Sequence, residues 1–193
     1  MSIMKSSLKG ILWLMVLAYL GVACTEEESV PFSNPTQIDA YFPMADFLEQ
    51  KIAQSAGTDV SKTIRFNDEE ERVKFIPDKE AWRKELDFFF QSDINKAALA
   101  SSYETREEDN LLIHALKPGE KNNIREIKVS KKEGKVREIG IVAIKNNLFY
   151  HSEVYGELTF DENEQLSTYS LEGDQKVWFL TATSLEVQAE IEE

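Results

Sequence analysis

Val136-Arg137-Glu138-Ile139-Gly140-Ile141-Val142-Ala143-Ile144-Lys145 is the stretch on which the fold turns. Side chains alternate across a strand, so Ile139 and Ile141 face one way while Val142 and Ile144 face the other. A strand apolar on both faces belongs in the interior of a sheet. On its C-terminal side the alternation predicts strands over 148–155, a pair around the turn at 161–164, then 176–181 and 185–191. On its N-terminal side it predicts 111–116 and 124–130. The dipeptides Pro118-Gly119, Glu133-Gly134, Asn146-Asn147 and Gly173-Asp174 punctuate these runs at short intervals, as expected for an antiparallel meander.

Upstream of residue 102 the period is helical. Tyr41, Met44, Phe47, Leu48 and Ile52 follow helical spacing within 38–56, with Pro43 in the opening turn and Gly57 as a stop. Asp78 is placed to cap a second helix over 79–91, whose Trp82, Leu86, Phe89 and Phe90 share one face. Asp93 is placed to cap a short helix over 94–100. Between the first two helices, 62–66 and 72–76 read as a hairpin around 67–70. Helices first and strands second predicts an α+β domain, with N-terminal helices packed on a curved antiparallel β-meander. The order helix, hairpin, helices, meander resembles the nuclear-transport-factor-2-like cone, a resemblance that implies a fold and no activity.

The N-terminus reads differently. Lys5 and Lys9 precede the apolar run Ile11-Leu12-Trp13-Leu14-Met15-Val16-Leu17-Ala18-Tyr19-Leu20-Gly21-Val22-Ala23, which ends at Cys24, the single cysteine of the chain. As a helix this run reaches about 20 Å, short of a bilayer core of about 30 Å. It therefore reads as a signal peptide over 1–23. Leu20-Gly21-Val22-Ala23-Cys24 resembles the lipobox of bacterial lipoproteins, although Gly21 stands where that family prefers leucine. The resemblance implies a thioether-linked lipid and palmitate-type acylation at Cys24, after cleavage behind Ala23. Two or three acyl chains hold a folded domain on a membrane where one does not.

Residues 24–36 then read as a lipidated acidic tether, extended by the mutual repulsion of Glu26, Glu27 and Glu28 and by two prolines. The acidic triplet resembles the export signal of Bacteroidota surface lipoproteins, and implies an outer-membrane, cell-surface address. The mature sequence also resembles small uncharacterised lipoproteins of that phylum, which implies no activity. Residues 37–193 are expected to form a single α+β domain.

The chain of 193 residues has 42% hydrophobic and 10% aromatic content, which excludes disorder as a description of the whole. Its formal charge of -13 argues against nucleic acid as a partner. Residues 117–137 run against this balance. There Lys128, Lys131, Lys132, Lys135 and Arg137 form an interaction patch for an anionic lipid, a glycan or an acidic protein partner, weighed against a plain lysine-rich hairpin that discourages edge pairing.

Signals for chemistry are sparse. There is no HExxH, GxSxG, P-loop or GxGxxG pattern, and no cofactor or metal is expected. His151 and Glu153 are the weak catalytic candidates, two residues apart on one strand face, where a carboxylate would orient the imidazole. His114 carries less weight. Asp161, Asn163 and Gln165 alternate oxygen-bearing side chains but lack the rest of a calcium loop. Glu104, Glu107, Glu108 and Asp109 read as a solvated loop. The aromatic residues Trp82, Phe88, Phe89, Phe90, Phe149, Trp178 and Phe179 are expected in the core, or around an apolar cavity between helices and sheet. The expected function is that of a lipid-anchored outer-envelope binding module, with an apolar carrier and a His151–Glu153 hydrolase as alternatives.

Overall fold

The deciding stretch lies in β6 (Lys135–Asn146), which is paired on both sides and buries Ile139 and Ile141 completely. The computed structural model describes residues 36–192, and these lie within one compact unit. Helix α1 (Met44–Ser55) comes first, followed by the hairpin of β1 (Asp59–Phe66) and β2 (Glu69–Phe75). Two short helices follow, α2 (Lys79–Glu85) and α3 (Asp87–Gln91), and then a single 3-10 turn at Ala97–Leu99. The remainder is strand: β3 (Tyr103–Glu108), β4 (Leu111–Leu116), β5 (Ile124–Lys132), β6, β7 (Tyr150–Phe160), β8 (Leu166–Val177) and β9 (Thr183–Glu192).

These strands make one antiparallel sheet in the order β2-β1-β9-β8-β7-β6-β5-β4-β3. The expected architecture, helices stacked on a meander or shaped as a nuclear-transport-factor-2-like cone, is therefore overturned. The early hairpin is not a separate element. Last strand β9 returns to pair with β1 over its whole length, Asp59 opposite Glu192 through Phe66 opposite Leu185, and so draws the hairpin into the sheet.

The helical part is also smaller than the apolar spacing predicts. The helix expected over 38–56 starts only after Pro43, whose φ/ψ of -77° and 70° are not helical. The expected 79–91 helix breaks at Leu86 (φ -97°, ψ 15°), because turning there buries Trp82, Leu86 and Phe89 together. Asp78 does cap α2, accepting from the Ala81 N–H at 2.8 Å. No α-helix forms behind Asp93. Its carboxylate accepts from the Asn95 N–H at 2.9 Å, closing an Asx turn instead. The acidic segment 104–108, read as loop, is edge strand β3, exposed along nearly all its length. An edge strand with no apolar alternation carries no sequence signal of its own.

Register decides which face is covered. Lys62, Ala189, Tyr169, Leu158, Ile139, Val129 and Leu112 stand opposite one another from β1 to β4. Most of this row is buried in a core with Met44, Leu48, Ile52, Trp82, Leu86 and Phe89 from the helices. At the same face Lys62 meets both oxygens of Glu85 at 2.7 and 2.9 Å, and Glu85 also accepts from the Tyr169 hydroxyl at 2.6 Å. Phe88 lies on β7 so closely that a Cβ at Gly156 would clash with its ring. Trp82 donates its ring N–H to the Ser55 carbonyl at 2.9 Å. The space between helices and sheet is thus occupied by side chains.

Candidate functional site

No helix of the described residues lies over the other face of the sheet. A single cross-strand row runs over it from β2 to β3: Glu70, Arg65, Glu186, Glu172, Tyr155, Val142, Glu126, Ala115 and Glu104. Alternation turns these residues outward because their neighbours Ile64, Val187, Leu171, Gly156 and Ile127 belong to the covered face. A second row beside it carries Ser184, Asp174 and Glu153 on β9, β8 and β7. Together the two rows line a groove of about 460 Å³ that includes Arg65, Asn67, Glu153, Tyr155, Glu172 and Asp174.

Arg65 anchors one side. Its Nε donates to Glu70 at 2.7 Å and its Nη1 to Glu186 at 2.9 Å, while Arg72 reaches the other oxygen of Glu70 at 2.7 Å. Hydrogen bonds from the two arginines hold the Glu70 carboxyl below its ordinary range. Glu172 stands directly opposite Glu186, a like-charge pair, and no cation pairs with Glu172, Asp174 or Glu153 among the described residues. Tyr155 closes the other side. Its ring passes over Gly140, where an added Cβ would meet its hydroxyl at 3.3 Å, and that hydroxyl donates to Glu157 at 2.9 Å. Burial, the Glu157 acceptor and the field of Glu157, Glu138 and Glu172 push the phenol up to about 12. The groove is therefore a negative surface with one arginine already saturated by carboxylates, suited to cationic and hydrogen-bond-donating groups.

The residues expected from sequence are dispersed. Cys24, the residues Glu26, Glu27 and Glu28 expected as an export signal, and residues 1–23 expected as a leader lie outside the described residues. Glu153 is a groove residue, and His151 follows on the same strand face, opposite Lys176 and Asn146. Both are exposed, and among the described residues no group of three or more His, Cys, Asp or Glu is arranged to hold a metal ion.

His114 is buried instead, with Nε2 accepting from the Phe42 N–H at 3.1 Å and Nδ1 at 2.9 Å from the Thr105 hydroxyl. The amide can only donate, so the ring proton sits on Nδ1 and donates to Thr105. Asp161 accepts from the N–H groups of Asn163 and Gln165, both at 2.8 Å, and so builds the β7–β8 turn with the oxygen a cation would need.

The basic patch is partly consumed. Lys128 pairs with Glu126 at 2.7 Å, Lys135 donates to the Glu162 carbonyl at 2.9 Å, and Arg137 donates to the Asp161 carbonyl. At the end of β5 Lys132 is exposed, whereas Lys131 is half-buried opposite Val136. Sequence reading missed Arg65, Tyr155, Glu172 and Glu186 because their neighbourhood spans more than half of the chain and exists only through the β1–β9 and β8–β9 registers. No family model, curated protein or solved structure matches the chain.

Proposed function

We propose that this is a lipid-anchored envelope protein whose nine-stranded sheet is a binding module, with the uncovered face as its contact surface and cationic groups as its ligand chemistry. The observation that carries the binding reading is the asymmetry of the sheet. Helices bury the middle of one face, and the other exposes an acidic groove whose Glu172, Asp174 and Glu153 have no cationic partner among the described residues. Packing of Trp82, Phe89 and Leu86 into the helix–sheet interior favours recognition at the surface over carriage of an apolar molecule inside. Anchoring is supported by the lipobox-like run ending at Cys24.

Two measurements test the reading. Isothermal titration of the full chain with an oligolysine peptide at low salt gives saturable binding, weakened about tenfold or more by Glu172→Lys with Asp174→Lys, while oligoglutamate gives none. Equal heats from both peptides, or none from either, overturn the acidic contact surface. Mass spectrometry of the chain isolated from its native membrane shows a diacylglyceryl-modified Cys24, and Cys24→Ser releases the protein to the soluble fraction. An unmodified thiol overturns the anchor.

A further inference from the structure

Large apolar side chains are unevenly distributed over the surface. Of the nine large hydrophobic side chains exposed among the described residues, seven lie at one end of the strands. Five occupy the tips of two neighbouring hairpins: Leu148 and Phe149 between β6 and β7, and Trp178, Phe179 and Leu180 between β8 and β9. Phe66 and Leu185 stand beside them at the end of β1 and the start of β9. Leu148 is 90% exposed, Phe179 77% and Trp178 73%. The tips are joined to each other. The Trp178 N–H donates to the Phe149 carbonyl at 2.9 Å, and the two rings lie 6.1 Å apart at 41°. The opposite end of the sheet carries one such residue, Ile76, beside polar turns at Asp109-Asn110, Glu133-Gly134 and Asp161 to Gln165.

We propose that this end of the sheet enters a lipid bilayer, with Phe149 and Trp178 at the centre of the inserted surface. Three features select a bilayer as occupant. The apolar groups project from hairpin tips, which suits immersion in a fluid layer, and they include the aromatic types that favour the membrane–water interface. Lys145 and Lys176 close the strands just above the tips, with Lys145 over the Tyr150 ring at 5.8 Å, where ammonium groups meet anionic headgroups in an otherwise acidic protein.

The third feature is where the chain enters. The Thr36 carbonyl accepts from Ala97 at 2.7 Å, and Tyr41 packs on Tyr103 at the start of β3, so the N-terminal segment joins the domain at the same end of the sheet as the apolar tips. A lipid at Cys24 on a tether of this length would hold that end toward its bilayer. The inference rests on the anchoring reading only for bringing the membrane near. Insertion stands the strands upright and leaves the acidic face turned sideways, open to a partner.

The test uses the full chain carrying Trp13→Phe, reconstituted from detergent into vesicles of phosphatidylethanolamine and phosphatidylglycerol with brominated acyl chains. Trp82 is completely buried, so Trp178 alone reports lipid contact. Brominated vesicles quench its emission by about half relative to unbrominated ones. The quenched component disappears in Trp178→Phe, and quenching weakens in Phe149→Ser with Phe179→Ser. Vesicle flotation is read in parallel, with and without Cys24→Ser. Unquenched Trp178 on floating protein overturns insertion while the anchor stands. Flotation unaffected by Cys24→Ser counts against the anchor, and quenching still decides insertion. Protection of Trp178 by a co-purifying protein, without quenching by lipid, also overturns the proposal.

Discussion

The backbone N–H of Phe42 donates to Nε2 of His114 at 3.1 Å, across 72 positions of chain, and ties the segment ahead of α1 to the fourth strand. Burial holds the imidazole below its ordinary value, since protonation would set an N–H against the amide that it now accepts from. A base whose folded value is depressed stabilises the fold fully above its unfolded value of 6.5 and loses that contribution as pH falls below it. Urea midpoints therefore drop between about pH 7.5 and about pH 5.5, and the drop is reduced in His114→Gln. His114→Phe lowers stability by about 2 kcal/mol near neutrality, because the Phe42 amide is left without an acceptor.

Gly156 is required by the Phe88 ring. Gly156→Ala forces that ring off β7 and lowers stability by about 1 to 3 kcal/mol. Adding Phe88→Ala makes the double variant less damaged than the two single losses combined, a coupling that thermal denaturation of all four proteins measures. Strict additivity would place the strain elsewhere.

Lys51 is almost completely buried and meets Glu164 at 2.9 Å. Burial works against ionisation of Glu164, but the Lys51 ammonium and the Val136 N–H outweigh it and hold the carboxyl below its ordinary range. Glu164→Gln keeps an acceptor for Val136 yet leaves the ammonium unneutralised, and costs about 2 kcal/mol or more. Lys51→Met, which removes the buried charge, costs less. Chemical denaturation of the two variants gives the order.

Asn95 fastens the entry of the chain. Its side-chain oxygen accepts from Ala40 at 3.1 Å and Tyr41 at 2.8 Å, and its amide donates to the Tyr41 and Phe42 carbonyls at 3.2 and 3.0 Å. Asn95→Ala lowers stability by about 3 kcal/mol. Asn95→Asp is also destabilising, since it turns a carboxylate oxygen toward two carbonyls. Limited proteolysis detects loosening of residues 36–42 in both.

In the basic hairpin, Arg137→Ala lowers stability by about 1 kcal/mol through loss of its bond to the Asp161 carbonyl, whereas Lys132→Ala leaves the thermal midpoint unchanged. The reverse order would show that the exposed Lys132, and not the inter-hairpin contact, holds this end of the sheet.

Legibility follows the source of each signal. Strand β4 coincides with the expected 111–116, and β6 exceeds the expected 136–145 by one residue at each end, because their alternation is set by burial against a nearby core. The turn expected at Gly173-Asp174 does not form: β8 runs through it to Val177, so the strand expected over 176–181 survives only as the end of β8, and Trp178 and Phe179 leave the sheet as an exposed tip. Apolar residues mark burial or a membrane equally well, and composition does not separate the two. His151 and Glu153 share a face as the period of two requires, yet the groove around Glu153 is completed by Glu172 on neighbouring β8 and by Arg65 from β1, far away in sequence.

Local patterning alone determined most of the run of antiparallel strands, the Asp78 cap and the turns at Glu133-Gly134 and Asn146-Asn147, since each depends on contacts a few residues apart. Tertiary structure decided that β9 pairs with β1, that the early hairpin joins a nine-stranded sheet, and that Arg65, Glu172 and Tyr155 meet across its open face. The β1–β9 pairing closes loops of more than a hundred residues, and side-chain alternation is equally satisfied by many partners at that range. Only the shared burial of one face against the helices selects among them.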